Sequence, residues 1–387
     1  MNVAVPKETT AGERRVAVTP DIASRLVQSG FSVLVQQSAG FEAGFLDSAY
    51  QSAGATIVAT PNELYERADM VLKVQRPQTG GAAAIDEAQL MHAGSALIAL
   101  LQPLLFPDTI RALAERNVTA FSMDAIPRIS RAQGMDALSA MSNVAGYKSV
   151  LLAAAALPKF FPMLMTAAGT IPPARVLILG AGVAGLQAIA TARRLGAVVS
   201  AFDTRPVVKE QVESLGATFV AAPVHEGGEG AGGYAKELSA EQQARDRDVI
   251  AKSVTDSDVV ITTALVPGKR APILVTEDMV KGMRPGSVIV DLAGEMGGNC
   301  ELSEPGSDVV KHDVTIMAPL NVPSSMPLHA SQLYARTVYA LFNHLVKDGK
   351  LQLDMNDEIT RSVCITHDGA IVSEATRAVV AGAGTRA

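Results

Sequence analysis

Gly180, Gly182 and Gly185 stand in the run Arg175-Val-Leu-Ile-Leu-Gly180-Ala181-Gly182-Val183-Ala-Gly185, where an aliphatic strand pattern meets a helical one from Leu186 to Leu195. That spacing suits a dinucleotide. Gly180 shapes the turn, Gly182 lets the main chain approach a pyrophosphate, and Gly185 lets helix and strand pack closely. Free N–H groups and the dipole at the helix start would hold the anion. The next strand pattern, Val198 to Phe202, ends in Asp203, eighteen positions after Gly185, followed by Thr204 and Arg205. A carboxylate there accepts both hydroxyls of an adenosine ribose and repels a 2′-phosphate, so the expected cofactor is NAD(H) and not NADP(H), a preference that Arg205 weakens. The same residues would also serve as a glycine turn in an ordinary α/β protein with a solvent-exposed aspartate.

Other residues with usable chemistry follow strand patterns, and ligands of parallel sheets gather at the carboxyl ends of strands. Thr262-Thr263-Ala264-Leu265-Val266-Pro267-Gly268 closes one strand with small residues, leaving room for a flat ring or a ribose, and Asp291 to Asn299 closes another. Ordinary turn chemistry accounts for either segment equally well. Arg128, Gln133 and Asp136 place a guanidinium, an amide and a carboxylate within nine residues after the strand pattern Thr119 to Met123. Together they would orient a carboxamide or a ribose by hydrogen bonds, and they would equally make a capped, charged helix start. Five glycines between Gly227 and Gly233 lead to Tyr234, which reads as a lid with an aromatic tip or as a flexible linker.

The elements that must position these groups alternate short Val/Ile/Leu runs with longer helical patterns, the rhythm of a parallel α/β sheet. In the first third, strands are expected at Val3–Pro6, Ser32–Gln36, Thr56–Val58, Asp69–Val74, Ala96–Leu100 and Thr119–Met123. Thr19 before Pro20 signals a capped helix start, Gly30 its stop, and Pro107 to Arg116 a similar helix. An Ala/Met-rich segment from Met135 to Thr166 and a loop ending in Pro172-Pro173 separate a second series. Its strands are expected at Val176–Leu179, Val198–Phe202, Thr218–Val220, Val259–Thr262, Val288–Asp291 and Thr315–Met317, with a returning helix from Ser331 to Val346. Two successive α/β units of similar size could reflect a divergent duplication, although no short repeat is visible.

Composition narrows the function classes. The chain has 387 residues, 48% hydrophobic and 19% charged, enough for two or three cores and unlike a disordered segment. A net charge of −6 has the wrong sign for a nucleic-acid partner. Cys300 and Cys364 make no CxxC pair or disulfide framework, which fits a reducing cytoplasm. The histidines His92, His225, His312, His329, His344 and His367 show no metal-ligand spacing, so no metal is expected. No secretory signal is expected, because no basic segment followed by an apolar run opens the chain. The apolar stretch Val150 to Leu157 is far short of the ~20 residues that span a bilayer.

The segments PKETTAGERRVAVTP, KVQRP, PRISRAQGMDALS, TAAGTIPPARVLILGAGVAGLQAIATARRLGA, FDTRP, GGYAKE, TTALVPGK, GSVIVDLA and GGNC resemble the NAD(H)-binding component of proton-translocating nicotinamide nucleotide transhydrogenase, of the alanine dehydrogenase/transhydrogenase family. The resemblance spans nearly the whole chain. It implies two Rossmann-like domains with parallel sheets separated by a cleft: residues 1–135 completed by about 330–387, and an NAD(H)-binding domain of about 136–329. It implies that Arg128, Gln133, Asp136 and Ser139 form the nicotinamide-side loop and that Gly180, Ala181, Gly182, Val183, Gly185, Asp203, Thr204, Arg205, Thr263, Ala264 and Leu265 form the cofactor site. Tyr234 matches the family's mobile loop. Gly134 stands where the family commonly has Ser, a change expected to alter loop stiffness more than chemistry.

The resemblance further implies a homodimer on the cytoplasmic face of a membrane, attached through an NADP(H)-binding partner subunit and a membrane-spanning subunit. Direct hydride transfer between nicotinamide C4 atoms needs positioning and water exclusion, not a general base. Alanine dehydrogenase is the nearest alternative and shares Arg15 and Lys73. Leu97 to Pro103 contains no histidine where that enzyme carries one, and Glu295 replaces the aspartate before its Gly-Gly. A non-catalytic NAD(H)-sensing module is the other alternative.

Overall fold

The structure is a computed structural model describing residues 1–80, 85–221, 239–265 and 270–383. Its strands, in chain order, are β1 (Asn2–Val5), β2 (Ser32–Gln36), β3 (Thr56–Val58), β4 (Met70–Gln75), β5 (Ala96–Leu100), β6 (Thr119–Ser122), β7 (Leu164–Thr166), β8 (Gly169–Ile171), β9 (Arg175–Leu179), β10 (Val198–Phe202), β11 (Thr218–Val220), β12 (Val259–Thr262), β13 (Val288–Asp291), β14 (Asp308–Lys311), β15 (Val314–Met317), β16 (Val346–Lys347), β17 (Lys350–Leu351), β18 (Cys364–His367) and β19 (Ala370–Ile371). The expected strands are present with ends shifted by at most one residue. Sequence did not reveal the hairpin β7–β8, the edge strand β14, or the short strands after the returning helix.

The chain divides into two compact units, Met1–Met141 with Ser324–Ala387, and Ser142–Pro323. In the first, the sheet order is β19-β18-β6-β5-β4-β1-β2-β3. The six strands from β6 to β3 are parallel, and β18 and β19 are antiparallel additions. In the second, the order is β11-β10-β9-β12-β13-β15-β14, parallel except for β14. Each unit therefore places its first strand between its second and its fourth, so strand order reverses there. Such a switch point opens a crevice at the carboxyl ends of the strands.

The strands are aliphatic because helices cover both faces. Val3, Ala4 and Val5 of β1, and Leu177, Ile178 and Leu179 of β9, have no exposed surface. Residues of β9 split by alternation between two cores: Val176 and Ile178 join one, Leu177 and Leu179 the other.

Three helices depart from expectation in detail. The one beginning at Pro20 has Thr19 at its cap position without a side-chain cap bond; the hydroxyl donates to Asp21 Oδ1 at 2.6 Å instead. The helix after the glycines runs Val183–Arg194, starting a turn earlier than the periodicity indicates, because Gly182 is already its N-cap. The returning helix likewise starts early, at Pro327. Between the units' sequences, Ala137–Ala156 forms a long helix. No described helix is long and apolar enough to cross a membrane.

Candidate functional site

The second unit builds its site at the switch point between β9 and β12. Gly180, at the end of β9, has φ +103, a backbone conformation that side chains rarely adopt, and a β-carbon there would lie 2.5 Å from Thr263 Oγ1. That hydroxyl donates to the Gly180 carbonyl at 3.0 Å, tying the turn to the end of β12. At Gly185 a β-carbon would fall 1.8 Å from the Gly180 carbonyl oxygen, so no side chain fits. Gly182 differs: the nearest atom to its hypothetical β-carbon is an Arg205 guanidinium nitrogen at 4.0 Å. The main chain is thus open where an anion would approach. Gly182 caps the helix Val183–Arg194 with no side-chain cap bond, which leaves the first-turn N–H groups to an outside acceptor.

Helix Ala137–Ala156 passes close to the start of that helix. A β-carbon at Gly146 would lie 2.1 Å from the Ala184 carbonyl oxygen. Gly146 is a positioning residue that sequence reasoning missed. Its one signal was a glycine inside a long apolar helix pattern, where glycine costs helix stability unless packing requires it.

Asp203 lies at the end of β10 and is buried. Its Oδ2 accepts from Ala181 N at 2.7 Å, so the aspartate also holds the glycine turn. Arg205 pairs with the same carboxylate, through Nε to Oδ1 and a terminal nitrogen to Oδ2, both at 2.9 Å. Asp203 is therefore not the solvent-exposed acid of the ordinary-turn alternative. Thr204 is half-buried beside it.

The end of β12 is held by a side chain that sequence placed only at the limit of a loop. Asn299 accepts from Ala264 N at 3.0 Å and donates to the carbonyls of Ala264 and Pro272 at 2.9 and 2.8 Å. Asp291, at the end of β13, accepts from Thr262, Ala293 N, Asn299 N, Cys300 N and Ser303. These carboxylate bonds fix the loop that carries Asn299, which in turn fixes Thr263-Ala264-Leu265. Leu265 is exposed. The expected lid with Tyr234, and Val266-Pro267-Gly268, lie outside the described residues.

In the first unit, Arg128 and Gln133 are exposed, on either side of the start of a 3-10 turn over Ser130–Met135. Asp136 accepts from Ser139 N at 2.8 Å and from Ser139 Oγ at 2.6 Å. Asp136 thus caps the helix beginning at Ala137, and Ser139 is its capping partner; the turn presents Arg128 and Gln133 to solvent. Gly134 faces open space.

The switch point of the first sheet, between β1 and β4, is filled by its own charged side chains. Lys73, fully buried, meets Glu87 Oε1 at 2.6 Å and Glu8 Oε2 at 3.4 Å. Glu87 also accepts from the Tyr65 hydroxyl and Gln78 N. Burial pushes the Glu8 carboxyl up to about 7, with Lys73 opposing the shift. Burial works against the charge of Lys73, but Glu8 and Glu87 outweigh it and raise its pKa. Arg15 makes a two-pronged pair with Glu13, at 2.8 and 2.6 Å. Both cations that alanine dehydrogenase shares are thus engaged within the chain, and a substrate carboxylate would have to displace these partners. Glu8 and Glu87 escaped sequence reasoning because their partner Lys73 is distant along the chain from Glu8 and lies on another strand.

The described residues include no group of three or more potential metal ligands. Cys300 and Cys364 are buried free thiols, each pushed up to about 11 by burial.

Known proteins align with this arrangement over both units. Residues 4–145 match the alanine dehydrogenase/PNT N-terminal domain and residues 149–374 the alanine dehydrogenase/PNT C-terminal domain. The chain is 50% identical over 379 residues to the first part of NAD(P) transhydrogenase subunit alpha of Rhodospirillum rubrum, a match covering 97% of this chain and 98% of the relative. The crystal structure of transhydrogenase from Sinorhizobium meliloti is similar with a TM-score of 0.84 at 40% identity, covering 97% of this chain and all of that one. Alanine dehydrogenase of Bacillus subtilis is 30% identical over 389 residues, covering 97% and 93%. The chain belongs to the alanine dehydrogenase/PNT family, as a subunit of an NAD(P) transhydrogenase.

Proposed function

We propose that this chain is the NAD(H)-binding subunit of a proton-translocating transhydrogenase, with hydride passing directly between NADH here and NADP+ held on a partner subunit. Proton movement would occur through a membrane-spanning subunit, with this chain a homodimer on the cytoplasmic face. The observation that supports the NAD(H) site most is the open main chain at Gly182, set at a switch point and at an uncapped helix start.

The site residues take the following roles in this reading. Gly180, Ala181, Gly182, Val183 and Gly185 bring main-chain N–H groups to the pyrophosphate, and Asp203 with Thr204 receives the adenosine ribose, with Arg205 at the edge of that cofactor subsite beside the carboxylate. Thr263, Ala264 and Leu265, held by Asn299, wall the far side of the same crevice. Arg128, Gln133 and Asp136, with Ser139, orient the nicotinamide, and Tyr234 excludes water. The bound dinucleotide would supply the hydride at its nicotinamide C4, so the task of these residues is to orient it. The NAD(H)-binding domain is the stretch of about 136–329; residues 1–135 with about 330–387 form the other.

The test is hydride transfer from NADH to an NADP+ analogue, using the purified chain with and without a transhydrogenase NADP(H)-binding subunit and no membranes. Activity requiring both supports the reading. Tight NADH binding without transfer contradicts it and favours the sensing module. Alanine dehydrogenase is the alternative activity the same assay excludes: alanine-dependent reduction of NAD+ by the chain alone would favour it, and none is expected, since Arg15 and Lys73 are already paired within the chain.

A further inference from the structure

The Asp203 carboxylate has no acceptor position left. An ionised carboxylate offers about four lone-pair sites. Oδ2 accepts from Ala181 N at 2.7 Å and from the Arg205 terminal nitrogen at 2.9 Å. Oδ1 accepts from Arg205 N and Arg205 Nε, both at 2.9 Å. Two of these donors are main-chain groups fixed by the turn and by the strand end. The other two belong to one flexible side chain, whose single bonds, unlike the main-chain donors, allow it to swing away.

We propose that Arg205 is a specificity-determining residue: its guanidinium holds the places on Asp203 that the adenosine ribose diol must take, and it limits how strongly Asp203 rejects a 2′-phosphate. The inference rests on the NAD(H) reading above. Rotating Arg205 away frees one position on each oxygen, which matches two neighbouring hydroxyls, while the main-chain donors stay. The guanidinium already lies beside the glycine turn, 4.0 Å from the β-carbon position of Gly182, so a displaced Arg205 remains near any phosphate bound there. A dinucleotide carrying a 2′-phosphate meets a cation together with the carboxylate when Arg205 is present. With Arg205 removed it meets the carboxylate alone, and like charges repel.

The experiment measures NADH and NADPH affinity by nucleotide fluorescence for the full chain and for Arg205→Ala and Arg205→Lys. For Arg205→Ala, NADH should bind at least as tightly as to the wild type, and NADPH about tenfold more weakly, the effect of one charge-assisted contact. Arg205→Lys keeps the charge and loses the planar fork, so it should retain NADPH binding near the wild-type level while NADH tightens. This second variant carries the test if Arg205→Ala fails to fold. An unchanged NADH-to-NADPH ratio in the variants overturns the inference, as does equal weakening of both ligands. A wild-type chain that binds neither nucleotide overturns the NAD(H) reading and the inference with it.

Discussion

Asp203 joins an observed task to a proposed one: its carboxylate braces the glycine turn through Ala181 N, and in the proposed function it would also receive the adenosine ribose. Asp203→Asn keeps the size and loses the charge. NADH affinity should fall roughly 10- to 100-fold, the range expected for bonds to a charged acceptor, as measured by fluorescence titration. Unchanged affinity would mean the ribose is held elsewhere. Glu8 makes a separate prediction. Its folded-state pKa of about 7 exceeds the ordinary value of 4.5 because burial disfavours the charge, so the folded chain keeps a proton that the unfolded chain has lost. This group therefore costs stability increasingly as pH rises through that window, by about 1.4 kcal/mol per unit. Glu8→Gln should flatten stability against pH between about 4.5 and 7 in denaturant titrations; an unaltered slope would contradict the assignment. At this scale the tight turn at the glycines and the place of Asp203 at the end of β10 were legible because local spacing sets them. Asn299, Gly146 and the Glu8–Lys73–Glu87 cluster were less so, since their partners are remote in sequence.

The helix Ala137–Ala156 packs against the first turn of the helix Val183–Arg194, approaching Ala184 at Gly146. Gly146→Ala inserts a β-carbon against backbone that has no free rotation. It should destabilise the chain by about 1–3 kcal/mol, the usual range for overpacking, and weaken NADH binding by displacing the first turn of the helix Val183–Arg194. A thermal melt and the same titration check both effects, and a wild-type midpoint would show that the two helices move apart freely. The parallel strands were readable because burial on both faces makes them short aliphatic runs. The antiparallel pieces were not: β7 and β8 are mostly exposed, and Cys364-Ile-Thr-His367 is a four-residue mixed run whose place beside β6 depends on pairing with Phe121 and Ala120 far away in sequence.

On the scale of the molecule, both units share a six-strand order that reverses beside the first strand, and they differ in what occupies the crevice. The second unit offers open main chain at Gly182; the first fills its switch point with Lys73, Glu8 and Glu87. The most direct measurement uses NADH doubly deuterated at nicotinamide C4, mixed with this chain, an NADP(H)-binding transhydrogenase subunit and an NADP+ analogue, with the reduced product examined by mass spectrometry. The account predicts one deuterium in each product molecule and none acquired from heavy water. Product carrying solvent hydrogen at C4, or label that appears without the partner subunit, would contradict direct transfer between two bound nucleotides.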